Sequence, residues 1–284
     1  MRKDKPSMTA RKVALSIVTL GTDPVIAKVL PADLVDATAE MLVASGAVSP
    51  SVMRLARWRK MISIYMAFDW MLPGQFEAFG QRKAFCEQQV RDGIRSGATQ
   101  ALVLGAGYDT LCWRLSPKFP DVSFFEIDHP ATAVLKAKGV RNMGERENLN
   151  LLAEDLGKRK LIDVITENEV WDQKARTVII AEGLVMYLSP EAVEELFCQC
   201  GEVVGKGSRI AFSYIPMGTD GLPFVGRWTG LMLWLQKVVG EPWLWSVAPD
   251  NIDEFLRKTG WIVDPNLAES RRKIGVEYLE VAIK

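Results

Sequence analysis

Histidine is almost missing from this 284-residue chain, which has His129 alone beside four cysteines, Cys86, Cys112, Cys198 and Cys200. So few ligands at such irregular spacing argue against a zinc cluster, and no metal is expected. Cys198 and Cys200 lie two apart on an expected helix and point away from each other. Reduced thiols and a cytoplasmic location follow as the expectation. Net charge is absent as well: 35 basic side chains cancel 35 acidic ones, so no overall field draws the chain to nucleic acid or to an anionic membrane. Local patches are left open. A long hydrophobic run is also lacking. "RKDKPSMTARK" before "VALSIVTLG" imitates a secretory leader, but "TDP" follows in place of a small-x-small cleavage site, and the run is too short to span a bilayer. Neither a signal peptide nor a membrane span is expected.

Apolar residues make up 48% of the chain, enough for one large domain or two small ones. From Met8 to about Ser96 the pattern is helical, punctuated at "GTDP", "LPAD", "SGAVSP" and "LPGQ". Apolar spacings of three and four in "SVMRLARWRKMISIYMAFDWML" predict an amphipathic helix. After Gln100 the rhythm changes to strands at 101–105, 122–128, 149–155, 177–183 and 208–215, with helices at 130–139, 157–167 and 189–204 between them. Strands that are apolar throughout and separated by helices imply a parallel sheet covered on both faces, with right-handed crossovers. A tryptophan-rich insertion follows Ile215; its helix near 224–239 is apolar almost all round, which calls for burial on several sides or a hidden partner. "NIDEFLRKTGW" gives one more helix and "GVEYLEVAIK" a final strand.

The first strand ends at Leu104 and runs into Gly105-Ala106-Gly107. Glycines there let the backbone turn sharply and approach a ligand with no Cβ between them. Asp109 and Thr110 suit the first turn of a helix whose free amides face polar ligand groups. Asp128 ends the second strand, twenty-three residues past Gly105, where a carboxylate can accept from both hydroxyls of a ribose. A dinucleotide fingerprint needs a third glycine beside the pyrophosphate, and Thr110 stands there instead. Adenosine without pyrophosphate, as in S-adenosylmethionine, fits that pattern. The bland alternatives are a tight turn with no ligand and strand-end acids in solvent.

With "LVLGAGYDTLCWRL", "FFEIDHP", "LLAEDL" and "AEGLVMYLSPE" in order, the chain resembles the leucine carboxyl methyltransferase family. The resemblance is good from about Phe79 to Tyr214 and loose before it. It implies an α/β, Rossmann-like fold: a mostly parallel seven-stranded sheet with helices on both faces, a helical cap over 1–80, and a catalytic domain over 81–284 carrying a lid insertion at about 216–248. It also implies S-adenosyl-L-methionine as cofactor. Gly105 and Gly107 would line its methionine part, Asp128 its ribose, and Asp155 with Leu156 its adenine. Glu182 would sit near the amino group and sulfonium, and Arg82 would pair with the methionine carboxylate, unless it is one solvated helix arginine among many. Lys12 or Arg11 matches an N-terminal basic position of the family. Arginine in many bacterial relatives is replaced here by Leu111, so the chain is nearer a "DTxxWRL" variant.

Transfer of a methyl group is an in-line displacement in which orientation supplies most of the acceleration. No catalytic residue is fixed; Glu182 and Tyr187 are candidates. His129 adjoins the ribose acid and lies too far from the methyl to be a base, which favours an acceptor already ionised: a carboxylate, or an acidic hydroxyl. Met186, Tyr187, Trp228 and Trp234 are expected to wall a pocket for an apolar small molecule or peptide C-terminus; Trp243 and Trp245 belong to the same stretch, with core packing or a dimer contact as the alternative. No nucleic acid is expected as partner, and a homodimer is left open. The competing readings are a nicotinamide-dependent Rossmann oxidoreductase and a non-catalytic or cyclase-like member that binds the cofactor as scaffold.

Overall fold

The computed structural model describes residues 6–264 and 271–284. Its sheet is built on β1 (Gln100–Leu104), β2 (Ser123–Asp128), β3 (Leu149–Ala153), β4 (Thr177–Ala181) and β5 (Arg209–Tyr214), all parallel. Every residue of β1 and β4 is buried, which is why these strands read as unbroken apolar runs with no alternation. The order is β3-β2-β1-β4-β5. Successive strands are added to one side as far as β3 and to the other from β4, so strand order reverses between β1 and β4, and a crevice opens beyond their carboxyl ends.

β8 (Glu277–Ile283) runs antiparallel to β5 and completes the core. Along its other edge lie β6 (Ile262–Val263) against Ala282 and Ile283, and β7 (Arg271–Ile274) against residues 277–280. The sheet therefore has eight strands where seven are expected. The extra one arises because β8 is long enough to pair with two short strands end to end.

Helices α5 (Gln75–Arg95), α6 (Leu111–Leu115), α7 (Pro130–Met143), α8 (Leu161–Thr166) and α9 (Pro190–Glu202) cover the faces. α8 starts four residues later than the spacing predicts, because Asp155 accepts the Gly157 amide at 3.0 Å and its carbonyl takes the amides of Lys158 and Arg159, fixing a turn. α5 crosses residue 80 without a break, and its Glu87 accepts from Arg114 of α6 at 2.6 Å with both side chains buried.

The leader forms α1 (Met8–Leu20), α2 (Leu34–Ala44), α3 (Pro50–Ala56) and α4 (Lys60–Met66). The single amphipathic helix expected over 51–72 is two helices broken at Arg57–Arg59. The break lets Met53 and Ala56 pack under α1 and α2 while Tyr65 stacks on Phe76, centroids 4.5 Å apart, at the start of α5. In the insertion, α10 (Thr229–Val239) begins five residues later than expected, and Met232 is its one buried residue. Burial on several sides is thus not what its apolar composition serves. α11 (Ile252–Lys258) follows.

Candidate active site

Gly105 and Gly107 take φ of +66° and +52°, a region costly for any residue with a Cβ. A Cβ on Gly105 would lie 3.0 Å from Leu184, and one on Gly107 3.0 Å from the Cβ of Ala10 on α1. The turn is thus gripped from both sides, by the loop after β4 and by the leader. Gly107 donates its amide to a carboxylate oxygen of Asp128 at the end of β2. The adjacent parallel register of β1 and β2, which pairs Leu104 with Ile127, brings the two stations together.

Both stations face one cavity of about 280 Å³. Arg82, Asp155, Leu156 and Glu182 face it too, as do Met186 and Tyr187. Burial pushes the Asp128 carboxyl up, against the pull of the Gly107 amide. Burial works the same way on Asp155, but there the Lys158 ammonium and the Gly157 amide win and hold it below its ordinary range. His129 caps α7 by accepting the Ala131 amide at Nδ1, 3.3 Å away, and its Nε2 lies 3.8 Å from Asp155.

α6 is a single turn, and the Leu111 amide is taken by Asp109 Oδ1 at 3.0 Å. The first helix amide is therefore satisfied within the chain. Thr110 is fully buried and its hydroxyl accepts from Arg114 Nε at 3.2 Å.

A buried chain of charges also lines the cavity. Arg82 donates Nε to Glu182 at 2.7 Å and Nη1 to both oxygens of Glu277 at 2.8 Å. Lys83 Nζ bridges Glu182 at 2.9 Å and Asp109 at 2.8 Å. Burial alone would lower both cations, but their acid partners raise each above its ordinary value. Desolvation likewise opposes Asp109, and Lys83 holds it well below the usual carboxylate range. Three acids and two bases leave the chain one negative charge in excess. Glu182, expected to need a ligand ammonium, already has two cationic partners.

The roof comes from the leader and the insertion. Thr9, Ala10, Val13, Ala14 and Ile17, one face of α1, line the cavity with Gln236 and Trp243. Arg11 and Lys12 point outward, exposed. Glu241 fastens the roof by accepting the Met8 and Thr9 amides at 3.2 and 3.1 Å and the Ser7 hydroxyl at 3.0 Å, a carboxylate at a helix N-terminus. Burial raises the Tyr187 phenol above its ordinary value, so it is neutral near pH 7.

Two expected wall residues stand outside the cavity. Trp228 meets Trp70 edge-on at 4.8 Å, and Trp234 is exposed on the outer face of α10. Trp245 is core, packed on Tyr214 and Phe255. Direction around α10 separates them: its inward side is Met232, Leu235 and Gln236, a phase that composition alone does not give. Lys83, Glu277, Glu241 and the face of α1 escaped the sequence reading. The two glutamates come from segments with no motif.

Residues 10–201 match the sequence model of the family described as leucine carboxyl methyltransferase. The chain belongs to this family. Similar curated proteins are provisionally named S-adenosyl-L-methionine-dependent methyltransferases. One, from Mycolicibacterium vanbaalenii, is 31% identical over 49% of this chain and 46% of its own length. Another, from Mycobacterium marinum, is 28% identical over 63% and 60%. A third, YktD of Bacillus subtilis, is 26% identical over 66% and 62%. The chain thus spans between about half and under two thirds of the curated family relatives it matches. Among solved structures, a protein of Thermobifida fusca provisionally titled a methyltransferase matches at TM-score 0.56 and 15% identity, over 92% of this chain and 97% of that one. A Nostoc punctiforme protein provisionally titled an O-methyltransferase matches at TM-score 0.50 and 10% identity, over 95% and 72%. Both likenesses are of fold.

Proposed function

We propose that the chain is an S-adenosyl-L-methionine-dependent O-methyltransferase acting on a carboxylate, or an acidic hydroxyl, of an apolar small molecule or peptide C-terminus. The observation that carries this reading is the union of Gly107 and Asp128 at one wall of a single cavity. The residues fit the cofactor: two glycines leave a cradle that a Cβ would fill, and the buried charge chain carries one negative charge in excess toward a ligand of net positive charge. Asp128 would hold the ribose hydroxyls, Asp155 and Leu156 the adenine, and Gly105, Gly107 and Glu182 the methionine part. Arg82 would act mainly by fixing Glu182, since its Nε and Nη1 already serve two carboxylates.

When bound, the cofactor supplies a methyl group on a sulfonium sulfur, an electrophile that needs no further activation. The chain's own contribution is position and exclusion of water. The salt-bridged floor cannot shift without breaking charged contacts, and the roof of α1 closes over an apolar chamber around Met186, Ile17 and Phe79. His129 is committed to capping α7, and Tyr187 keeps its proton, so neither suits a base. A carboxylate acceptor, ionised at neutral pH, needs none.

The cap over 1–80, the lid over 216–248 and a cytoplasmic setting belong to the same proposal. No described helix is long and apolar enough to cross a membrane. The nicotinamide reading is disfavoured by Thr110, buried and bonded where a pyrophosphate loop needs glycine. The test is transfer of labelled methyl from S-adenosylmethionine to a panel of aliphatic and aromatic carboxylic acids and phenols. Base-labile methyl esters of the acids, or base-stable methyl ethers of the phenols, support the reading; transfer to amines alone, or none with a cofactor that binds, contradicts it.

A further inference from the structure

We propose that the outer face made by α4, the turn after it and α10 docks onto an anionic lipid surface. Phe68, Trp70 and Trp234 are 57%, 54% and 58% exposed there. Leu231, Trp234 and Val238, spaced three and four apart, make the outward stripe of α10 apolar, and Ile64 extends the same character on α4. The edge-on contact of Trp70 with Trp228 joins the two segments into one surface. A soluble monomer rarely leaves so many large aromatic and aliphatic side chains together in water.

Charge says what covers the face. Residues 50–72 contain Arg54, Arg57, Arg59 and Lys60 against one acid, Asp69, whose Oδ1 accepts the Gly74 amide at 2.8 Å; residues 221–240 contain Arg227 and Lys237 and no acid, between Asp220 and the buried Glu241, in a chain whose charges cancel overall. Arg57 is shared with Asp36 at 3.1 Å. Lys60 lies 5.7 Å from the Trp58 ring and Arg227 5.3 Å from the Trp228 ring, so cations are held at the aromatic rim. Apolar side chains with interleaved cations match the headgroup layer of a bilayer rich in anionic lipid. A second copy of the chain brought face to face would set these cations against themselves. Nucleic acid would answer the cations but leave the aliphatic stripe of α10 unused.

The face adjoins the cavity. Leu72 follows the exposed turn and Gln236 lies on the inner side of α10, and both line the chamber. If the methyl-transfer reading holds, an amphiphilic acid held in the bilayer is the substrate class this arrangement suits. The docking does not rest on that reading.

Sedimentation of the full chain with vesicles tests it, using phosphatidylcholine alone and phosphatidylcholine mixed with phosphatidylglycerol. Binding to the mixed vesicles at low salt, weakened as salt shortens the Debye length, is expected. Lys60→Glu with Lys237→Glu, both at exposed sites, should lower partitioning tenfold or more; Trp234→Ser should lower it at every salt concentration. Retained melting temperatures certify the variants as folded. The proposal is overturned if folded wild-type chain ignores the mixed vesicles at low salt, or binds both kinds equally, or forms in light scattering a dimer that Trp234→Ser dissolves while no vesicle is bound. Loss of vesicle binding would not count against transfer to a dissolved acid, nor would absence of methyl transfer count against vesicle binding.

Discussion

Arg82 and Glu182 meet at 2.7 Å with both side chains more than nine-tenths buried, one from the middle of α5 and the other from the end of β4. This contact ties a helix that begins in the leader to the floor of the cavity. Taking two charges out of water is costly, and the geometry recovers that cost only because each partner has a second charged contact, Glu277 for Arg82 and Lys83 for Glu182.

Arg82→Met should therefore be severe. It leaves Glu182 with Lys83 alone and Glu277 without its cation, and the expected loss is about 3–5 kcal/mol in urea unfolding. Arg82→Lys, which keeps the charge without the fork, should fall between. A loss under about 1 kcal/mol for Arg82→Met would mean the contact is not what holds the floor.

A second buried pair lies behind the glycine turn. Lys136 and Glu126 meet at 2.5 Å, both almost wholly enclosed, beside a small void they share with Ala106 and Asp128. Lys136→Met alone should destabilise by about 3–5 kcal/mol, while Glu126→Leu combined with it should recover most of the loss. Additive losses in the double variant would refute the pairing.

Much of this was legible in advance, and the reason is local. Gly105, Gly107 and Asp128 are short-range consequences of a strand that must turn and a neighbour that must end beside it, so spacing alone carries them. Glu182 was legible as a buried acid, but not its tie to Lys83, 99 residues before it, nor the tie of its partner Arg82 to Glu277, 195 residues from that arginine, because these pairings are a matter of tertiary packing. The tryptophans failed for a different reason. A helix apolar on nearly every side gives no phase, so composition could not tell the wall of a chamber from an outer surface; Trp228 and Trp234 went outward. The break at Arg57–Arg59 was equally hidden, since both halves keep helical spacing.

Stability should also depend on Glu280, fully enclosed on β8 beside Arg271 at 2.7 Å. Burial, ahead of the opposing pull of Arg271, lifts its pKa from an ordinary 4.5 to about 7. The folded chain then holds the proton longer than the unfolded one, so this group's contribution is fully present below the unfolded value and is lost as pH rises through about 7. Melting temperatures from pH 5 to 8 should fall more steeply for the wild-type chain than for Glu280→Gln. Parallel curves would contradict this assignment.

The central claim is that the bend after β1 and the acid ending β2 hold one nucleoside, and titration calorimetry with S-adenosylhomocysteine reads it directly. One saturable site is predicted in the wild-type chain, weakened tenfold or more in Asp128→Ala, about the 1.4 kcal/mol of one lost charged hydrogen bond. Equal affinity in the two proteins, or no binding to a folded wild-type chain, would contradict it.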